Sequence, residues 1–360
     1  MSHHCPNPEV YKQGRGRDAY NQLIQEICNE KHTQHEPHKP TRVWIDENNT
    51  PDGVVSSLNI ILNTGGCTLR GYVAESVDDG SVNHDVIMNQ IDLCLEHETA
   101  AIDEPADLVK IYTSGSFLDE HEVSMKFRVA ITETFADRDR IVIESSPDFV
   151  NREKLRTFTE LGLATDVAIR VETTTDRIRH DRINEFDFTD FQDACAEVCH
   201  ANDMTPSDVG VGVKGCPLLK PPFLTESEAV DDMVESVRQC ANINGCHTVS
   251  MNSADVQRYT VVDTLFSEDG YRPPWLSVSK VLELTSDVDA IVVFDPVGNG
   301  HDFDDGPHNC GECDERVQTA IKDYNRRQDP SVFKQVECDC QIKWSYVLEA
   351  ESSYAQPLTR

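Results

Sequence analysis

Short aliphatic runs alternate along this chain with longer stretches of helical period. The runs fall at 58–62 (LNIIL), 108–112 (LVKIY), 140–144 (RIVIE), 166–171 (DVAIRV), 209–213 (VGVGV), 247–251 (HTVSM) and 290–294 (AIVVF). Each has the length and the β-branched, aliphatic composition of a buried strand. Helix-start signals lie between them. Thr225 and Glu228 make a capping-box pattern ahead of a helix that aligns Ala229, Met233 and Val237, and Thr189 with Gln192 repeats the pattern earlier in the chain. Strand then helix, repeated, predicts an α/β fold built on a parallel sheet or barrel. Chemistry in such folds gathers at the C-terminal ends of the strands, where TGGC, TSGSF, ESS, ETT, KPPF and MN stand here.

The beat is absent at both ends. Residues 1–41 read as a His-bearing lead-in with a helix pattern over 17–31, followed by HTQHEPHKP, which Pro37 and Pro40 keep extended. Residues 42–295 are the expected barrel. Residues 296–360 read as a small Cys-rich extension, turn-rich at first and then helical at RVQTAIKDYNRR. A length of 360 residues suits one large barrel or two average domains.

Charge changes the picture of habitat more than of partner. The chain has 64 acidic and 32 basic side chains, a formal net charge of −32, with the acids dispersed along its length. Dispersed acid keeps a surface hydrated in strong brine, as halophile proteins do. It argues only weakly against an RNA substrate, because the Debye length is about 3 Å at 1 M salt. The candidate basic strip is Arg177, Arg179, His180 and Arg182, whose alternative is a solvated helix face. No apolar run is long enough to span a membrane and the N-terminus lacks the apolar core of a signal peptide, so a cytoplasmic location with no membrane partner is expected.

Thirteen cysteines in a chain that should keep its thiols reduced point to metal before disulfides. Cys310 and Cys313 (CGEC) and Cys338 and Cys340 (CDC) form two close pairs separated by one helix, a spacing that can wrap four thiolates around a tetrahedral ion. Zn²⁺ is the simplest occupant, ahead of a cluster or unliganded thiols, and His308 can replace one ligand. Cys195 with Cys199, and Cys240 with Cys246, read as core thiols. Backbone amides at Ser114, Gly115 and Ser116 can cradle an anionic or amino-acid group. Glu144 and Glu172 each stand at a strand end, as site acids or as ordinary loop acids. Lys220, ahead of two prolines, is either a lysine held at the rim or part of a rigid turn.

Taken in order, TSGSFLDEHEV, VIESSPDFV, VETTTDRIR, LLKPPFLTESEAVDD, CHTVSMNSADVQRYTVVDTL, YRPPWLS and HNCGECDERVQTAIKDYNRRQDP resemble the archaeal radical S-adenosylmethionine (SAM) proteins that partner archaeosine synthase. The resemblance runs from about Arg42 to the C-terminus. It implies a partial TIM-like barrel with a [4Fe–4S] cluster on three cysteines, whose fourth iron binds SAM and yields a 5′-deoxyadenosyl radical. It further implies cleavage of the lysine C–N bond of a lysine-7-deazaguanine adduct in tRNA to form archaeosine, beside a lysine-transferring subunit. Carried over by position, it makes Cys67 a cluster ligand, puts Ser114, Gly115, Ser116 and Glu144 toward SAM, and gives Glu172 and Lys220 catalytic roles. The opening loop departs from the family pattern: GGCTLRGYVAES keeps Cys67 but has Leu69 and Arg70 where the family's last Met and Cys would stand. The alternative is a cluster-deficient homologue, a binding subunit for tRNA or partner with only a structural zinc.

Overall fold

The computed structural model describes residues 38–64, 66–67, 72–73, 84–113, 115–179, 186–203, 210–254, 256, 261–295 and 306–354. The helix pattern over 17–31, the boundary near Pro296, and Ser114, His180 and Arg182 lie outside them.

The core is an eight-stranded α/β half-barrel with strand order β1-β2-β5-β6-β7-β8-β9-β10. Its first two members, β1 (Arg42–Thr50) and β2 (Gly53–Ile61), form an antiparallel hairpin. Gly53, at φ +119°, closes the tight Thr50 to Gly53 turn. Within this sheet every pairing from β2 onward is parallel: β5 (Leu108–Tyr112), β6 (Arg140–Glu144), β7 (Ala164–Glu172), β8 (Val211–Leu219), β9 (Cys246–Ser253) and β10 (Ile291–Phe294). Neighbours in sequence are neighbours in the sheet, so the sheet is wound in one direction and curls. Two short strands, β3 (Gly66–Cys67) and β4 (Tyr72–Val73), pair separately beyond β2.

Side chains alternate across each strand. Ile60, Ile111, Ile143, Val167, Val213 and Val249 face the helices and join one core cluster. Their neighbours line the lumen and are largely polar, among them Asn59, Lys110, Asp166 and Lys214, all buried. A small lumen cluster of Leu108, Val142, Ala168 and Cys216 packs among them.

The crossovers are helical: α1 (His84–Ala101), α2 (Met125–Thr134), α3 (Arg152–Thr159), α4 (Phe188–Asn202), α5 (Glu226–Ala241), α6 (Val261–Asp269) and α7 (Trp275–Leu284). The expected capping box opens α5, with Thr225 and Glu228 exchanging side-chain-to-backbone bonds of 3.2 and 3.1 Å. In α4 the box sits two residues earlier than Thr189 and Gln192: Asp187 and Asp190 form it. A carboxylate accepts an N-terminal amide better than a threonine hydroxyl, and the earlier start adds Phe188 to the apolar face beside Phe191.

The C-terminal helices α8 (Asp314–Arg327) and α9 (Cys340–Tyr354) pack directly on the barrel. Val317, Ala320, Ile321 and Tyr324 belong to the same core as the strands. Helix α8 also satisfies the edge of β10. Asn325 accepts from Phe294 N at 3.0 Å and donates to Phe294 O at 2.7 Å, and Gln328 accepts from Val292 N at 3.0 Å. On its other side Arg326 pairs with Glu47 of β1 at 2.6 Å. Thus α8 touches both edge strands, and a free ladder edge becomes a capped one. No helix among the described residues is long and apolar enough to cross a membrane.

Candidate active site and metal centre

The C-terminal ends of the strands form a mouth whose loops are tied to one another. After β5, the Glu122 carboxylate accepts from Gly115 N at 2.9 Å, Ser116 N at 2.5 Å and Thr64 Oγ1 at 2.5 Å. Ser116 Oγ accepts from Ser146 N at 2.9 Å, after β6. Two of the amides expected to cradle a ligand, those of Gly115 and Ser116, therefore point inward onto Glu122, because a buried carboxylate draws every donor within reach. What they build is a fixed floor joining Thr64, just before the Cys67 hairpin, to β5 and β6.

At the ends of β6 and β7, Glu144 and Arg170 form an ion pair of 2.7 Å. The β7 end then enters an unusual backbone region. Glu172 sits at φ +60° beside a register shift in the β7/β8 ladder. The following threonines are clamped to α5: Thr173 and Thr175 both donate to Asp232, at 2.9 and 2.7 Å, and Ser236 accepts from Thr174 N at 3.0 Å. Burial pushes the Asp232 carboxyl above its ordinary range, and those threonine bonds partly offset the rise. Lys220, past the end of β8, also has positive φ, +62°. Its ammonium is buried 2.6 Å from Glu226 Oε2, donates to Arg272 O at 3.1 Å and lies 4.6 Å over the Tyr271 ring. Sequence reasoning picked out Glu172 and Lys220, and the fold puts both at neighbouring strand ends in a conformation that costs about 1–3 kcal/mol each for non-glycine residues. Strain of that kind collects at functional sites.

Deeper in the lumen lies a group the sequence reading did not single out. Lys110 and Lys214 converge on Asp295, at 2.8 and 3.5 Å, and Asn48 accepts from Lys110. Burial lowers Lys110 to about 8, against the raising effect of Asp295, while the two lysines hold the Asp295 carboxyl far below its usual range despite burial. The signal available in the sequence was a lysine at the centre of an aliphatic run, LVKIY. Toward the other end of the lumen Asp166 accepts from Arg140 at 2.9 Å and pairs with His247 at 2.8 Å. A cleft opens there, lined by Asn48, Leu108, Arg140, Asp166, Lys322 and Arg326.

The described half of the basic strip is split: Arg177 is exposed, whereas Arg179 is wholly buried, donating to Thr173 O and facing the Phe186 ring at 5.1 Å. Arg179 directly follows a one-turn helix at Asp176–Ile178 whose Ile178 is buried as well.

The second centre is the cysteine quartet. Cys310, Cys313, Cys338 and Cys340 bring their sulfurs within 4.8 Å of one another, the one such ligating group among the described residues. Gly311, at φ +84°, makes the knuckle between the first two. His308 does not join them; it pairs with Asp314 at 3.0 Å, at the start of α8. As expected from sequence, Cys195, Cys240 and Cys246 are core thiols, with Cys199 half-buried beside them.

A [4Fe–4S] cluster takes thiolates on separate irons. The residues described at the mouth do not supply them. Cys67 is the only cysteine between residues 62 and 93. Cys94 is sealed in the helix-facing core and Cys216 in the lumen, and burial pushes both thiols up to about 12, away from the thiolate form a metal needs.

This architecture, a one-way-wound α/β half-barrel with a tied polar mouth and a separate four-thiol centre, defines the class as a partial TIM-type barrel. No family model matches the chain. Archaeosine synthase subunit beta of Methanosarcina acetivorans is 34% identical over 304 residues, 82% of this chain and 83% of that protein. Archaeosine synthase subunit beta of Thermococcus kodakarensis is 32% identical over 325 residues, 85% of this chain and 96% of that protein. Among solved structures, the archaeal Methanocaldococcus infernus Elp3 lacking its first 46 residues aligns at 12% identity over 69% of this chain and 59% of that one, with a TM-score of 0.48. The chain belongs to the archaeosine synthase subunit beta family.

Proposed function

We propose that the chain acts on tRNA in archaeosine formation, beside a lysine-transferring subunit. The observation that carries this reading is the pair of relatives named archaeosine synthase subunit beta, at 34% and 32% identity over more than four fifths of the chain. In its finer form the proposal is cleavage of the lysine C–N bond of a lysine-7-deazaguanine adduct, leaving the formamidine of archaeosine. Glu172 and Lys220 are the residues we assign to the substrate. Their strained, neighbouring placement at the mouth supports that assignment. Ser114 and Glu144 are assigned to the SAM side, over the floor that the Gly115 and Ser116 amides build on Glu122, and Cys67 to the iron.

One observation favours a second reading. Cys67 stands without companion cysteines in its segment, so the family's radical chemistry needs thiolates from elsewhere. Without them the chain serves as a tRNA- or partner-binding subunit that keeps only its C-terminal metal. Anaerobic reconstitution with iron and sulfide, followed by assay with SAM, reductant and lysine-adduct tRNA, separates the two. About four irons per chain and conversion to archaeosine support the first. Binding of the tRNA or of the partner subunit without iron supports the second, and absence of both binding and conversion rejects both.

A further inference from the structure

The four C-terminal sulfurs are spaced for a single ion. Cys310 lies 3.8 Å from Cys313 and 3.6 Å from Cys338, and Cys313 lies 3.5 Å from Cys340. Thiolates 2.3 Å from one tetrahedral ion stand about 3.8 Å apart. In an iron–sulfur cube each thiolate binds a different iron, and the sulfurs spread over a larger cage. Asn309 Nδ2 points at Cys313 Sγ at 3.3 Å, the second layer of support that thiolate centres use.

The quartet is also wired to the barrel mouth. Cys340 begins α9, and Trp344 lies one turn on, on the same face. Trp344 Nε1 donates to Ser277 Oγ of α7 at 3.0 Å, Ser277 Oγ donates to Glu226 Oε1, and Glu226 Oε2 holds Lys220 Nζ at 2.6 Å. A second line runs from Asn309 Oδ1, which accepts from Leu276 N at 3.1 Å at the start of α7. Farther along α9, Glu351 accepts from Ser227 N in the first turn of α5 at 2.8 Å.

We propose that Cys310, Cys313, Cys338 and Cys340 bind one tetrahedral divalent ion of the zinc class, and that this ion positions Lys220 at the barrel mouth through Trp344, Ser277 and Glu226. The ion holds the start of α9, α9 holds Trp344, and the hydrogen-bonded chain holds Glu226 against the lysine. Trp344, Ser277 and Glu226 are positioning residues. Binding releases the thiol protons and involves no redox step. The inference rests on this geometry and not on the reaction proposed above, so the test needs neither SAM nor tRNA.

The test uses the full chain, Zn²⁺ or Co²⁺ alone as the probe, and an amine-acylating reagent read by peptide mass spectrometry. The expected result is about one ion per chain, a tetrahedral thiolate spectrum with Co²⁺, and loss of both in the Cys310→Ser, Cys338→Ser double variant. Removing the ion from the wild-type chain with a chelator should raise Lys220 acylation several-fold relative to Lys280, which is already 39% exposed, and restoring Zn²⁺ should reverse it. Trp344→Phe should keep the ion and still raise Lys220 acylation. Sulfide-bearing iron lost in the same double variant, or no bound ion, would overturn the metal assignment. Lys220 acylation unchanged by metal removal, or unchanged in Trp344→Phe, would overturn the positioning role.

Discussion

Arg170 Nε stands 2.7 Å from Glu144 Oε1, joining the C-terminal ends of β7 and β6 inside the mouth. Glu144 is 12% exposed and Arg170 35%, so the pair is partly screened by solvent. The larger effect comes from removing one partner, because the remaining carboxylate then loses a charge-assisted bond in a half-enclosed site. Arg170→Ala should lower stability by about 1–3 kcal/mol, and adding Glu144→Gln should recover part of the loss. Urea unfolding of the two variants checks this; an additive double variant would mean the pair does not couple.

Asp166 links stability to acid. Burial pushes its carboxyl up, but the hydrogen bond and charge of His247 and the Arg140 guanidinium outweigh burial and hold it below the ordinary range. A carboxyl depressed in the folded state stabilises above its unfolded pKa of about 3.9, and that stability is lost as pH falls through the lower folded value. Asp166→Asn should therefore be less stable at neutral pH and lose less stability below about pH 4. Urea midpoints across that range measure both. Identical slopes for variant and wild type would remove Asp166 from the acid response.

Asp295 is the counter-charge for two buried lysines. Asp295→Asn should cost about 3–5 kcal/mol, the penalty of leaving buried charge uncompensated. Lys110 should then fall below its present value of about 8. A lysine lowered in the folded state makes the folded chain bind fewer protons, so the variant should regain stability as pH rises from that lowered value toward about 10.4. Denaturation at two pH values on either side of neutral decides it; a variant equally unstable at both would exclude Lys110 as the source.

Net charge predicts a salt response. With 64 acids against 32 bases, self-repulsion works against the folded state. Raising KCl from about 0.1 M to about 1 M shortens the Debye length from about 10 Å to about 3 Å. The melting temperature should rise over that interval, and a flat or falling melting curve would mean repulsion does not govern stability.

The outer half of the sheet was legible because helix-facing residues such as Ile111, Ile143 and Val167 make conspicuous aliphatic runs. The polar lumen was not, because Lys110 and Asp166 fall inside the same runs, Lys214 follows one directly, and their destination depends on how the sheet curls. Strand β1, RVWIDENNT, escaped notice because an edge strand mixes half-buried polar residues with few aliphatic ones. The cysteine quartet could be read because its ligands come in two close pairs. The chain from Trp344 to Lys220 could not, since its members meet only through packing of α5, α7 and α9. Lys220 was singled out as a rigid residue before two prolines; the structure adds that it is buried and held by Glu226.

The most direct test of the proposed function is nucleoside mass spectrometry of tRNA from the source organism lacking this chain. The expected result is loss of archaeosine with accumulation of the lysine-bearing 7-deazaguanine nucleoside, restored by the wild-type chain. Archaeosine at the normal level in the deletion strain would contradict a role for this chain in archaeosine formation.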